Sequence, residues 1–292
     1  MTMPAENLQN GDALREYAFS DADFGMIAEL ANRKYGLYLQ TSKKALVYSR
    51  LAKRLRALRL DSFADYCSLL DAPEGAEEQS HLLSALTTNV THFFRERHHF
   101  DKLQQDILPT LIEKAQRGGS IRLWSSACSA GQEAYCMAAS ILAGWPDAAS
   151  RDVKILATDV DPVILEKART GVYPEDQLEA IPAAFRDLMI APNKTASDNI
   201  TMRPELRALL SFGQLNLIES WPMKRQFDVI FCRNAAIYFD KQTQATLWKR
   251  FADILVPGGF LMIGHSERLS GEATACFKSA GVTTYQKNSA TA

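Results

Sequence analysis

Ile121–Leu142, IRLWSSACSAGQEAYCMAASIL, changes its hydrophobic period part-way along, and the change falls on a glycine. Ile121 to Ser126 alternates like a short strand, whereas from Glu133 onward Cys136, Met137, Ser140 and Ile141 recur at helical spacing. The stretch therefore reads as strand, tight small-residue turn, helix. In an α/β sheet such a turn lies at the carboxyl end of a strand beside a helix N-terminus, where these folds bind nucleotide-like ligands. The turn holds one glycine, Gly131, rather than the three of a dinucleotide fingerprint, which argues against a pyrophosphate cradle. The nearby acidic Glu133 suits a ligand that is not polyanionic. S-adenosylmethionine, zwitterionic at its amino-acid end and cationic at sulfur, is such a ligand.

The 292 residues suffice for one large α/β domain and a smaller one, and a 47% hydrophobic content can fill both cores. A formal net charge of -1 provides no global field to recruit nucleic acid, so any electrostatic recognition must come from a local patch. No apolar run approaches the roughly 20 residues that cross a bilayer. The start, MTMPAENLQNGDALREYAF, has neither a basic segment nor an apolar one, so no export signal is expected. The five cysteines, Cys67, Cys128, Cys136, Cys232 and Cys276, are scattered without a CxxC pair, as expected of free thiols in a reducing cytoplasm.

Working back toward the N-terminus, residues up to about Tyr17 are polar and aperiodic and read as a loose arm. From Ser20 to Leu86 the pattern is helical. Ser20 with Asp23 predicts a capped helix to about Tyr35, stopped by Gly36, and Thr41 and Ser42 are candidate caps for the next, Lys43 to Leu60. In that helix Val47, Leu51, Leu55 and Leu58 share one face, while Lys43, Arg50, Lys53 and Arg54 gather on an adjoining flank that no acidic residue interrupts. The flank reads either as a solvated face whose arginine stems cover core or as a docking surface for an acidic partner. Membrane binding is a third reading, weakened by the lack of Trp and Phe on the apolar face. Asp61 and Ser62 cap a further helix carrying Phe63, Tyr66, Leu69 and Leu70, before a turn at Asp71 to Gly75.

Thr87 to Glu96, TTNVTHFFRE, is poor in helix formers and crowded with hydroxyl and amide groups ahead of two phenylalanines. It reads either as helix caps bracketing core aromatics or as a ligand contact. His98 and His99 are adjacent, so on a helix they should point apart, which disfavours shared metal ligation and leaves them structural.

Beyond Gly118 and Gly119, strands and helices alternate. Val153 to Thr158 ends at Asp159 and leads into a helix from Pro162 to Arg169. Pro174 to about Arg207 breaks the alternation with four prolines and the polar run APNKTASDN, and reads as an insertion. Strands resume at Leu209 to Phe212, followed by Asn216, and at Phe227 to Cys232, followed by Arg233 and Asn234. A helix from Gln242 to Leu255 passes through a turn at Pro257, Gly258 and Gly259 into a strand at Phe260 to Ile263, and Tyr285 sits in a last strand. This order predicts a mostly parallel sheet with helices on both faces. Glu133, Asp159, Asn216, Arg233 and Asn234 then lie just beyond strand ends and converge on one crevice. Taken alone, Asp159 is also a candidate helix cap, since Pro162 follows.

TTNVTHFFRE, RLWSSACSAGQEAYCMA, ILATDVDPVILEKARTGVYP, FDVIFCRNAAIYFD and LVPGGFLMIGHSE occur in this order, and together they resemble the chemotaxis receptor methyltransferase (CheR) family over nearly the whole chain. The resemblance implies a small all-helical N-terminal domain (18–86) for receptor recognition and a linker and cofactor-contacting segment (87–118). A doubly wound, mostly parallel-sheet class I methyltransferase domain (119–288) follows, with an inserted small antiparallel β-subdomain at about 174–207. It implies transfer of a methyl group from S-adenosyl-L-methionine, without a metal, to glutamate carboxylates of chemoreceptors, giving methyl esters and S-adenosyl-L-homocysteine. By matching motif positions, Asn89, Thr91 and Arg95 contact the cofactor, Glu133 faces its methionine part, Asp159 its ribose, and Asn216 with Leu217 its adenine. Arg233 and Asn234 line the pocket, Arg95 and Tyr238 lie at the reacting centre, and Lys43, Arg50, Lys53 and Arg54 hold the receptor. The expected partner is the cytoplasmic domain of a chemoreceptor, met in the cytoplasm by a monomer that neither binds nucleic acid nor inserts into membrane. Within Ser129 to Tyr135, Ala130, Gln132 and Ala134 replace the Thr, Glu and Pro of the usual STGEEPY. Some members tether receptors through a glycine-rich loop in the inserted subdomain, and the matching LMIAPNKTASDNITMR has no glycine. Two other readings stand beside this one: a methyltransferase for nucleic acid or a small molecule, of which nucleic acid is disfavoured by the near-zero charge and by CRNAAIYF in place of an NPPY-like tetrapeptide, and a sensor that binds cofactor without turnover.

Overall fold

The computed structural model describes residues 16–87, 89–192 and 198–289. The expected N-terminal arm and the middle of APNKTASDN lie mostly outside them. The chain forms two compact units that divide between residues 88 and 89.

The first unit is all helical. Helix α1 (Asp21–Tyr35) begins at a reciprocal cap in which Ser20 Oγ accepts from the Asp23 amide at 3.1 Å and the Asp23 carboxylate accepts from the Ser20 amide at 2.9 Å; it ends where Gly36 turns left-handed. Helix α2 (Lys44–Leu58) follows a 3-10 turn, Thr41–Lys43, and starts without a side-chain cap, so Thr41 and Ser42 do not play the expected role. Ser62 caps α3 (Phe63–Asp71), and α4 (Ala76–Leu86) completes the unit. Val47, Leu51 and Leu55 are buried as their spacing predicts, α2 packs on α4, and α1 packs on α3.

The basic flank of α2 is half compensated, because another helix brings Arg50 and Arg54 partners that its own sequence lacks. Arg54 forms a forked pair with Glu78 of α4, which also accepts from Tyr66 Oη at 2.8 Å. The guanidinium of Arg50 donates to the carbonyls of Ala85 and Leu86, capping the end of α4, and Lys44 pairs with Asp21 at 2.7 Å. Glu78 is buried, so Glu78→Ala leaves Arg54 and the Tyr66 hydroxyl without their shared acceptor. We expect a loss of about 2–3 kcal/mol in urea unfolding.

In the second unit, residues 98–116 are not a linker. Helix α5 (His98–Lys102), one π-helical turn at Leu103–Ile107 ahead of the amide-free Pro109, and α6 (Leu108–Gln116) bury Phe100, Leu103, Ile107, Leu108 and Leu111 in the main core. Strand β1 (Ile121–Ser125) then leads through the turn at Gly131 to α7 (Gln132–Gly144). Gly131 sits at φ 94°, and a Cβ there would come within 2.9 Å of Ala168 Cβ and 3.1 Å of Tyr173 Oη, so both conformation and space require glycine. Strand β2 (Val153–Asp159) and α8 (Pro162–Thr170) follow.

Residues 172–209, slightly more than the expected insertion, hold β3 (Val172–Pro174), α9 (Ala183–Met189), β4 (Asn199–Thr201) and α10 (Pro204–Leu209), with β3 and β4 paired antiparallel as a separate two-stranded sheet. Next come β5 (Leu210–Gln214), β6 (Phe227–Cys232), α11 (Lys241–Ile254), β7 (Leu255–Ile263), β8 (Phe277–Gly281) and β9 (Thr284–Lys287). The seven-stranded sheet has the order β5-β2-β1-β6-β7-β9-β8, parallel from β5 to β7 and antiparallel in the closing hairpin. Two details differ from expectation. Pro257 to Gly259 is an irregularity inside β7 rather than a turn before it, with the register shifting opposite Phe227 and Val229, and β8 is a strand that no periodicity announces. The chain leaves β1 toward β2 on one side and later enters β6 on the other, so the crevice of this sheet opens between the carboxyl ends of β1 and β6.

Candidate active site

Arg233 follows β6 directly and is a buried charge of the crevice, with its side chain 2% exposed. Its Nη1 donates to Glu133 Oε2 at 3.1 Å, its Nε lies 3.4 Å from Glu96 Oε2, and its Nη2 donates to the carbonyl of Arg95. The faces of Phe100 and Phe231 lie 5.4 and 5.9 Å from the guanidinium. The turn at Gly131 starts α7, which places Glu133 in its first turn, where Glu133 Oε1 accepts from Ser125 Oγ at 2.6 Å. Burial raises the Glu133 carboxyl against the opposing pull of Arg233.

Glu96 faces the same guanidinium and also accepts from the His265 amide and Nδ1, at 3.2 and 2.7 Å. Burial pushes its carboxyl up, but the His265 hydrogen bond and the Arg233 charge outweigh burial and hold it down at about 2. Phe94 and Glu96, on either side of Arg95, both have left-handed backbone, at φ 53° and 55°. Phe94 donates its amide to Cys136 Sγ at 3.1 Å, and the Arg95 side chain donates to the carbonyl of Val90 at 3.1 Å.

Asp159 ends β2 and is buried, accepting from the amides of Ser129 at 2.8 Å and Asp161 at 3.0 Å. Burial raises its carboxyl to about 6. It is not the helix cap: Asp161 caps α8, with Oδ1 accepting from Val163 and Ile164. Asn89 Nδ2 lies 3.3 Å from the other oxygen of Asp161, which ties the start of the unit to the β2 end. Asn216 and Leu217 follow β5; Asn216 donates to Glu219 at 3.0 Å, and the Leu217 carbonyl accepts from Arg250 Nη1 at 2.6 Å. Arg250 also lies over Trp221, 3.9 Å from the ring centre.

Asn234, again left-handed at φ 57°, donates its amide to Glu267, a buried carboxylate that also accepts from the amides of Ala236 and Gly264. Tyr238 is half-buried in the 3-10 turn Ala236–Tyr238, and Thr91 is half-buried in the loop before Phe93. Among the described residues, no hydrogen bond links the side chain of either to the Arg233 group. Lys43, Arg50, Lys53 and Arg54 belong to the other unit.

Of the residues expected from the sequence, Glu133 and Arg233 are brought together and Asp159 lies at the end of β2, while Glu96, Asp161, Arg250 and Glu267 carry contacts that sequence reasoning passes over. Asp161 before Pro162 carries a cap signal, and Glu267 follows the end of β7 by four residues; Glu96 and Arg250 act through partners distant in sequence. The two histidines do not point apart. His98 opens α5, and both rings reach Thr283 Oγ1, at 3.4 and 2.8 Å, with ring centres 4.1 Å apart. Burial, then the Arg233 charge, lowers His99 to about 3, so it is neutral.

The acceptors of this crevice, the Asp159 carboxylate at the end of β2 and a buried Ser129 Oγ left without a partner in the turn, suit a ligand that donates hydrogen bonds. Residues 89–286 match the family described as CheR methyltransferase, SAM binding domain, and residues 22–87 match CheR methyltransferase, all-alpha domain. The chain belongs to the CheR methyltransferase family. A probable chemotaxis protein methyltransferase of Rhizobium etli is 47% identical to it over 252 residues, covering 86% of this chain and 94% of that one. Chemotaxis protein methyltransferase 2 of Pseudomonas aeruginosa is 41% identical, covering 93% and 95%, and the chemotaxis protein methyltransferase of Escherichia coli is 38% identical, covering 87% and 86%. CheR membership accounts for the pairing of a helical unit with a parallel sheet.

The depressed Glu96 carboxyl makes a pH-dependent contribution to stability. A carboxyl lowered by folding stabilises fully above its ordinary value near 4.5, and that stabilisation fades as pH falls toward 2. Glu96→Gln should therefore cost roughly 1–2 kcal/mol in urea unfolding at pH 6, with the gap from wild type narrowing at pH 3.

Proposed function

We propose that this chain is a protein-glutamate O-methyltransferase that carries a methyl group from S-adenosyl-L-methionine to glutamate side chains of chemoreceptors, leaving S-adenosyl-L-homocysteine. The observation that carries this reading is the match to both CheR families, end to end, over residues 22–87 and 89–286. The crevice chemistry supports it, since a buried, partly desolvated set of carboxylates suits a sulfonium cofactor better than a phosphate-bearing one.

When bound, the cofactor supplies an electrophilic methyl group on a sulfonium. A glutamate side chain in water titrates at about 4.3, so the acceptor carboxylate is already ionised at neutral pH and the chain needs no general base. Its residues bind, orient and exclude water. Asp159 takes the ribose hydroxyls, Glu133 the amino-acid end, and Asn216 with Leu217 the adenine side. Asn89, Thr91, Arg233 and Asn234 complete the wall. Arg95 orients the incoming carboxylate and Tyr238 packs beside the methyl. Holding the reacting atoms in line and away from water contributes on the order of 7–11 kcal/mol.

On α2, Leu46, Arg50 and Lys53 share a face at i, i+4 and i+7, and Leu46 is an exposed large hydrophobic among basic neighbours. Arg50 and Arg54 have structural partners, whereas the side chains of Lys43 and Lys53 are exposed and make no hydrogen bond to another described residue. The docking charge is therefore assigned chiefly to Lys43 and Lys53, and the partner is the cytoplasmic domain of a chemoreceptor, an acidic helix with an apolar stripe. The enzyme works as a monomer in the cytoplasm. Among the described residues, no helix is long and apolar enough to cross a membrane.

Incubation with methyl-labelled S-adenosylmethionine and receptor-containing membranes should place base-labile label on the receptor; no label with a competent receptor refutes the assignment. Lys43→Glu with Lys53→Glu should lower that labelling about tenfold while S-adenosylhomocysteine affinity stays within twofold.

The Asp159 carboxyl, raised to about 6, must be ionised to accept fully from ribose hydroxyls, and such bonds lower its pKa in the complex. Product affinity should therefore be greatest above pH 7 and fall as pH drops through 6. Calorimetry on Asp159→Asn should show binding weakened about tenfold at pH 8, with most of this pH dependence gone.

A further inference from the structure

Arg95 sits between two residues in an unfavourable backbone conformation, Phe94 and Glu96, and neither is glycine. Such a segment keeps its shape only where its surroundings over-determine it. On the Phe94 side the restraint is the amide bond to Cys136 Sγ, with the Phe94 ring against Phe100 and Phe185, 5.4 and 4.7 Å between centres. On the other side the restraint is the carboxylate of Glu96. One of its oxygens faces Arg233 Nε beyond β6, and the other takes both the amide and Nδ1 of His265 beyond β7. The same Arg233 donates to the Arg95 carbonyl. Glu96 thus joins the backbone around Arg95 to the ends of two neighbouring strands, and its side chain is 11% exposed.

We infer that Glu96 is a positioning residue for methyl transfer: its carboxylate, clamped by Arg233 and His265, fixes where the guanidinium of Arg95 meets the acceptor carboxylate. The inference rests on the reading of Arg95 given under Proposed function. A second carboxylate is not needed to neutralise Arg233, because Glu133 already does so at 3.1 Å. What Glu96 adds is the link to His265 and to the strained backbone. A group placed wrongly by about 1 Å can cost about a hundredfold in rate, so loss of the clamp should appear in turnover before it appears in binding.

The test compares the full-length wild type, Glu96→Ala, Glu96→Gln, Arg95→Ala and the Arg95→Ala/Glu96→Ala double variant. The measurements are kcat and KM with receptor-containing membranes, S-adenosylhomocysteine affinity by calorimetry, and the thermal unfolding midpoint. Glu96→Ala should lower kcat about 30-fold or more, at least ten times more than it weakens product binding. Glu96→Gln, which keeps the shape and one acceptor, should recover part of that loss. Where Arg95 is already alanine, removal of Glu96 should change kcat less than threefold, because nothing remains to be positioned.

The inference is overturned if Glu96→Ala turns over within twofold of wild type. It is also overturned if kcat and product affinity fall together with no recovery in Glu96→Gln, or if the effects of the two alanines simply multiply. Should Glu96→Ala fail to fold, Glu96→Gln and His265→Ala decide it: the latter removes one arm of the clamp and should lower kcat severalfold at unchanged product affinity, and wild-type kcat in both overturns it. An inactive wild-type chain would refute the methyltransferase reading and this role with it, whereas an active wild type with unaffected variants would remove only the role of Glu96.

Discussion

A guanidinium closed off from water between two carboxylates is the constraint around which the larger unit is arranged. Arg233 has nowhere to place its charge except on Glu133, on Glu96 and on the carbonyl of Arg95. Removing an ion from water costs several kcal/mol, and the cost is offset only when every donor finds a well-placed partner. That requirement fixes three segments distant in sequence: the loop before α5, the first turn of α7 and the end of β6. The crevice between β1 and β6 is thus shaped by charge as well as by strand order.

The local conformation of the site follows from this arrangement. Phe94, Glu96 and Asn234 are left-handed without being glycines, and each has a hydrogen-bonding neighbour that makes the conformation tenable: Cys136 for the first, Arg233 with His265 for the second, Glu267 for the third. Such backbone gathers where side-chain placement matters more than local stability. Asp159 and Glu133 add to the tension, since burial raises both carboxyls and leaves them best stabilised when a positively charged or hydrogen-bond-donating ligand is present.

Much of the fold is legible in the sequence because it rests on local signals. The period change at Gly131, the Ser20 cap and the alternation of strands and helices each depend on residues a few positions apart, and each is found where expected. What escapes depends on partners far away in sequence. The basic flank of α2 reads as uncompensated because Glu78 lies a helix-pair further on; the capping role of Arg50 cannot be seen without α4 beside it; and the convergence of His98 and His99 depends on Thr283. Strand β8 goes unseen because its burial alternates only weakly, with Phe277 its one buried residue. The candidate site shows the same division: Asp159 at the end of β2, Arg233 just after β6 and Glu133 in the helix that follows β1 are legible from the strand-helix order, while Glu96, which bridges strand ends, carries no periodic signature.

The position of β9 has a bearing on how the chain folds as it is made. Although it is the last strand in sequence among the described residues, it lies between β7 and β8. Until Thr284 to Lys287 have left the ribosome, β7 has an unpaired edge and β8 has no neighbour in the sheet. His99, at the other end of the unit, also waits for Thr283. The methyltransferase unit therefore closes by a pairing that waits for β9, a non-local step that is slow and aggregation-exposed. The helical unit is built from contacts within its own stretch of chain, so it can be in place well before that.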